Sequence, residues 1–256
     1  MHANPAQSDS IARFPAFGHG EIVLTSSSLA YNPCDDLIFP SVIDAEENLA
    51  NPLGKYYMYC APHNAPGGIC LVYASSLHGP WIEYAGNPVI TNRWLPHYDV
   101  EHVSSPHALF IREESQLFLY YHSDNHATRY AVSEDGVTFS YGGVAIDAEQ
   151  CPNPDTALCG YGRVFPYTPP GSSSRYVMLF TSLAYMPGSW DSFTWCGLYR
   201  AWSSDARSWQ IDDTPLLSHH EMEKSACSVS APWLLPWQGR QYVVFHQDWH
   251  DAKVPG

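Results

Sequence analysis

A segment of about 60 residues repeats along this chain, and the repeat limits the fold more tightly than any other feature of the sequence. Gly54-Lys55-Tyr56-Tyr57-Met58-Tyr59 is echoed by Ser115-Gln116-Leu117-Phe118-Leu119-Tyr120, by Ser174-Arg175-Tyr176-Val177-Met178-Leu179 and by Gly239-Arg240-Gln241-Tyr242-Val243-Val244. Each copy is a turn followed by an aromatic, near-continuously apolar strand, the pattern of a strand covered on both faces. The first three copies run on into a second strand and turn at 71–81, 129–139 and 199–209, keeping a small residue, a serine, a turn and a closing aromatic in order. Serine and aspartate side chains that bond their own backbone account for that turn without any functional role.

A repeat of this length fits one four-stranded blade with its loops, so the chain reads as all-β, a β-propeller of four-stranded blades with about four blades present. Residues 1–20 read as an irregular leader and 21–256 as a single propeller domain, with Glu21-Ile22-Val23-Leu24-Thr25 as a candidate strand. The innermost strands are expected to begin near Asp36, His102, Tyr161 and Ser228, and 145–160 and 185–194 to form long loops over one rim. The fourth unit lacks its outer strands. Because a propeller closes its ring to remove exposed edges, either the N-terminal strand completes a small ring or, the favoured expectation, the chain is a fragment of a larger, five- to seven-bladed propeller.

Aromatic residues make up 14% and charged residues only 15% of the chain, with 9 Trp and 17 Tyr, a profile that favours packed β-structure and offers ring faces to sugars. The net charge of −14 disfavours nucleic acid or an anionic membrane as a partner. The 7 cysteines lack metal-type spacing; Cys60 with Cys70, and Cys151 with Cys159, are positioned to pair or to remain free thiols. Met1-His2-Ala3-Asn4-Pro5 has neither a basic nor an apolar signal region, and no apolar run reaches membrane-spanning length, so the reading is a soluble protein of undetermined compartment.

Chemistry is expected where the inner strands converge. Asp35-Asp36 opens the first of them, the second is crowded with Asp99, Glu101, His102 and His107, and Tyr161-Gly162-Arg163 places a guanidinium in an apolar third strand. His63, His122 and His246 end the adjacent strands. Arg163 cannot shed its proton and therefore needs an anion, either a protein carboxylate such as Asp36 or Glu101, or a substrate carboxylate; Arg129 faces the same choice. A glycosidase would need two carboxyl groups, and Asp36 with Asp99 or Glu101 would supply them. A polysaccharide lyase would need a base beside a cation that neutralises a uronate, which His102, Tyr161 and Arg163 would supply.

The run from Asn51-Pro52-Leu53-Gly54 through Pro62-His63-Asn64-Ala65-Pro66-Gly67-Gly68, together with His102-Val103-Ser104-Ser105-Pro106-His107, resembles the propeller carbohydrate-active enzymes. Within them it is most similar to the L-rhamnose-α-1,4-D-glucuronate lyases, which are seven-bladed. That resemblance implies β-elimination, with the histidine role carried onto His102 and an arginine role onto Arg163, and with His63, His107 and Arg129 as weaker candidates. The wider resemblance is to five-bladed arabinanase- and xylosidase-type glycosidases. It gives Asp36 a counterpart in the first-strand aspartate, but sets Tyr161-Gly162-Arg163 where those enzymes carry a Glu-Gly-Pro acid motif.

The sequence therefore predicts a lyase acting on a uronate-containing oligo- or polysaccharide. Its catalytic residues would be His102, Arg163 and Tyr161, and its substrate-binding residues His63, His107, Arg129, Asp36 and His122. No cofactor is called for, although a structural cation on the propeller axis is conceivable. A glycoside hydrolase and a non-catalytic glycan-binding propeller are the alternatives.

Overall fold

The computed structural model describes residues 20–185, 193–221 and 227–249. Three antiparallel sheets, each with four strands in series, follow one another along the chain. The first is β1 (Ile38–Asp44), β2 (Tyr56–Ala61), β3 (Cys70–Ala74) and β4 (Ile82–Glu83), hydrogen-bonded in that order. A short hairpin, β5 (Arg93–Trp94) and β6 (Tyr98–Asp99), leads to the second sheet, β7 (Val103–Ile111), β8 (Gln116–Ser123), β9 (Ala127–Ser133) and β10 (Ser140–Asp147). The third is β11 (Leu158–Pro166), β12 (Tyr176–Tyr185), β13 (Phe193–Ser203) and β14 (Gln210–Ile211), with β15 (Leu217–Ser218) also paired to β13. A hairpin of β16 (Cys227–Trp237) and β17 (Arg240–Trp249) ends the series. Among the described residues helical structure is confined to single turns such as Ala45–Asn48, and no helix is long and apolar enough to cross a membrane.

The continuous apolar runs have a direct cause. Along β8, Leu117, Leu119 and Tyr121 pack into the core shared with the first sheet, whereas Phe118 and Tyr120 pack into the core shared with the third. A strand sandwiched between neighbouring sheets must be apolar at every position. Burying each such side chain contributes about 1.5–3 kcal/mol, so these two clusters hold the sheets together.

The repeated turn also serves structure. Ser133 Oγ accepts from the amides of Asp135 and Gly136, and Asp135 accepts from those of Val137 and Thr138. Ser203 and Asp205 rebuild the same turn in the next sheet.

The inner strands β1, β7, β11 and β16 pack successively against one another, and each is interrupted by a β-bulge at the same place. The residue in the left-handed region is Phe39, Ser105, Tyr161 or Ala231, with φ between 49° and 57°. Each precedes a proline or, after Tyr161, a glycine. Pro lacks the amide that a ladder requires, which confines it to such irregular positions.

Several sequence expectations change. Glu21–Thr25 forms no strand: Ile22 is exposed, and Thr25 instead starts a single 3-10 turn. The third inner strand begins at Leu158 because Leu158, Cys159 and Gly160 pair with Leu183, Ser182 and Thr181. The expected loop over 145–160 thus shrinks to a short turn and coil between β10 and β11, and the loop expected over 185–194 falls mainly outside the described residues. Cys60 and Cys70 are direct cross-strand partners, yet they and Cys151 and Cys159 are buried free thiols.

Candidate active site

The N-terminal ends of the inner strands and the C-terminal ends of the second strands lie at the same end of each antiparallel pair, so their side chains share one mouth. His102 immediately precedes β7, and His122 pairs with Ser104 near the end of β8. His63 follows β2, and Tyr161 occupies the bulge of β11.

These groups meet. The rings of His102 and His122 are edge-on with centroids 5.2 Å apart, and His122 stands edge-on to Tyr161, also at 5.2 Å. The Tyr161 phenol lies 3.5 Å from His63 Nε2, and Phe39 from the bulge of β1 packs on both rings. The loop carrying His63 is pinned to the strand carrying His102 by a bond from the Gly68 amide to the Val103 carbonyl. Gly67, at φ +68°, makes that approach possible, since a Cβ there would sit 2.0 Å from the Val103 oxygen.

Asp124, in the turn after β8, joins them without having stood out in the sequence. Its Oδ1 accepts from the backbone amides of Glu101 and His102, at 2.6 and 3.0 Å, and lies 3.9 Å from His102 Nδ1. The last separation is an electrostatic contact, too long for a hydrogen bond. Burial lowers the His102 pKa below 6.5, and the Asp124 charge opposes that shift. His102 is therefore a neutral imidazole at pH 7, with a carboxylate beside one nitrogen. That is an arrangement for taking up a proton.

Other predicted site residues stand elsewhere or are engaged. Asp36 accepts from the backbone amides of His63 and Asn64 and from the Asn64 side chain, so it fixes the His63 loop. His107 is buried, with Nε2 donating to the Val164 carbonyl at 2.7 Å, and burial drives its pKa down to about 3; it packs the interior rather than facing a substrate. Arg129 donates to Ser123 and Tyr141 and lies over the Tyr98 ring, in the core between the first two sheets. Arg163 is only 4% exposed and donates to the Pro106 carbonyl. It pairs with neither Asp36 nor Glu101, and as placed it is not open to a substrate carboxylate. His122 is likewise buried, beneath His102 and Tyr161.

The bulges of β7 and β11 explain the positions of His107 and Arg163. One extra residue shifts the alternation beyond it, so positions read as lining the mouth turn into the interior. Among the described residues no group of three or more His, Cys, Asp or Glu side chains is arranged to hold a metal ion.

No protein-family model and no curated protein matches the sequence. Solved structures do match the fold. An endo-arabinase from Bacteroides thetaiotaomicron superposes with a TM-score of 0.55 at 13% identity, over 81% of this chain and 69% of that one. A thermostable family-43 glycoside hydrolase superposes with a TM-score of 0.58 at 17% identity, over 83% of this chain and 66% of that one. An endo-1,4-β-xylanase from Bacteroides thetaiotaomicron superposes at 0.55 and 14% identity, over 83% and 66%. The chain thus spans between 66% and 69% of the length of these structures. None of these three is a lyase, so the expected closeness to the rhamnose–glucuronate lyases finds no support in them. The wider likeness, to propeller glycosidases, is the one the fold carries.

Proposed function

We propose that this protein acts on an oligo- or polysaccharide whose terminal sugar enters the mouth lined by His63, His102 and Tyr161, and that it cleaves a glycosidic bond there by hydrolysis. The observation that carries the reading is the convergence of titratable rings from three successive sheets at one end of the inner strands, with His102 set against Asp124. The fold similarity to enzymes named as arabinase and xylanase supplies the substrate class. In this reading neutral His102 takes a proton from the attacking water, and the Tyr161 phenol beside His63 gives one to the departing oxygen.

Elimination is the second reading, favoured by the engagement of Asp36, which leaves imidazole and phenol rather than a free carboxylate pair at the mouth. His102 would then remove the proton α to a uronate carboxylate, and Tyr161 would protonate the leaving oxygen. The carboxylate would be met by groups on the His63 loop, since Arg163 is buried.

Incubation with arabinan, xylan and rhamnose-capped glucuronate oligosaccharides, assayed in parallel for reducing ends and for the ultraviolet absorbance of an unsaturated uronate, separates these readings. Reducing ends without absorbance support hydrolysis. Both signals together replace it with elimination. Saturable binding without either signal would overturn catalysis in favour of a glycan-binding role.

A further inference from the structure

Beneath the mouth, the adjoining strands β7, β8 and β11 carry the buried polar side chains Ser105, His122 and Arg163, which the proposed reaction does not use. The Arg163 guanidinium has a single acceptor among the described residues, the Pro106 carbonyl, and no carboxylate beside it. His122 is 1% exposed, and among the described residues neither of its ring nitrogens has a hydrogen-bond partner, nor does the buried Ser105 hydroxyl.

The neighbouring histidines are neutral rings and do not cancel the Arg163 charge. Burial first, with the Arg163 charge adding to it, disfavours protonation of His107 and His122. A guanidinium keeps its proton under all ordinary conditions, and a buried ion without a counter-charge is strongly unfavourable. Buried polar atoms left without partners point to an occupant that satisfies them.

We propose that a small monovalent anion of the chloride class binds here, held by the Arg163 guanidinium, a ring N–H of His122 and the Ser105 hydroxyl. The shared chemistry is a single negative charge, which a free halide or a sugar carboxylate would both bring. The halide is favoured because His102 and Tyr161 cover His122, so that a carboxylate attached to a sugar ring would have to displace them. This inference does not rest on the sugar-cleaving reading, and its main test contains no sugar.

Crystals grown in bromide and measured at the bromine absorption edge should show an anomalous peak between Arg163 and His122. In methanesulfonate buffer at constant ionic strength, added chloride should raise Tm saturably, by about 3 °C, as a ligand that binds only the folded state does. Arg163→Met and His122→Leu should abolish that rise. Should either variant fail to fold, the bromide measurement on the unaltered protein still decides. No anomalous peak together with a chloride-independent Tm would overturn the proposal. Displacement of bromide by glucuronate but not by glucose would keep the anion site and overturn its assignment to a free halide.

Discussion

The phenol of Tyr59 donates to the carbonyl of Gly136 at 2.7 Å, tying the second strand of one sheet to the outer turn of the next. One sheet further on, Tyr120 makes the equivalent bond to Ala206 at 2.6 Å. The two tyrosines occupy matching positions in the repeat, and the two carbonyls belong to the matching serine–aspartate turns. Each bond is fully buried, so each fixes the register between neighbouring sheets where water cannot substitute. Tyr59→Phe and Tyr120→Phe should each lower stability by about 1–2 kcal/mol, because each leaves a buried carbonyl without its donor. Urea unfolding measures this, and an unchanged midpoint in both would refute the pinning role.

Removal of the His102 imidazole tests the catalytic assignment. His102→Ala should reduce kcat about 10²–10⁴-fold while KM for the active glycan changes little. Asp124→Asn should have a smaller effect with a directional signature. The Asp124 charge raises the His102 pKa, so its loss lowers that pKa further and moves the acid limb of the pH–rate profile to lower pH. A profile unmoved by Asp124→Asn would separate that carboxylate from His102.

Asp36 divides two roles cleanly. As an acceptor for the His63 loop it uses both oxygens, and an asparagine carbonyl can keep the bond from the His63 amide while losing those from Asn64, so Asp36→Asn should keep kcat within about tenfold with a modest rise in KM, whereas Asp36→Ala should raise KM further by loosening the loop. As a hydrolytic base it would need its charge. A loss of about three orders of magnitude in Asp36→Asn would return the catalytic role to Asp36.

Buried neutral histidines give the fold a defined pH response. The folded pKa of His107 is about 3 against an ordinary 6.5, so the unfolded chain takes up this proton first. The stability contributed by the neutral ring is complete above pH 6.5 and is lost as pH falls from there toward 3, at up to about 1.4 kcal/mol per pH unit. Lowered carboxylates such as Asp135 and Asp205 lose their contribution in the same direction, at lower pH. Urea unfolding at about pH 7.5 and about pH 5.5 should show the decline, and His107→Gln should make it shallower, with His122 still contributing. Equal stability at the two pH values would contradict it.

The gathering at the mouth was legible because its ingredients are local. His63 and His122 end strands that the apolar repeat marks, while His102 and Tyr161 sit beside or within inner strands, and antiparallel order brings those ends together. Arg163 and His107 depart from expectation for one reason: depth within a sheet depends on register, and one bulge residue in β11 or β7 changes it; Arg129 stands on β9, whose pairing with β8 is regular, and turns to the Tyr98 and Tyr141 rings. A signal for that bulge does stand in the sequence, in Phe39-Pro40, Ser105-Pro106 and Ala231-Pro232 at matching places, with Tyr161-Gly162 as the fourth. Asp124 carries no comparable mark, because Asp124-Asn125 reads only as a turn.

By itself the sequence determined the repeating all-β architecture, the strands covered on both faces and the serine–aspartate turns, since each follows from side-chain alternation and local hydrogen bonding over a few residues. Only the tertiary structure decided which polar side chains reach the mouth and which are buried beneath it. That distinction depends on long-range pairing and on bulges whose effect is to redirect side chains, leaving the Arg163 guanidinium and the His122 imidazole enclosed among residues distant in the chain.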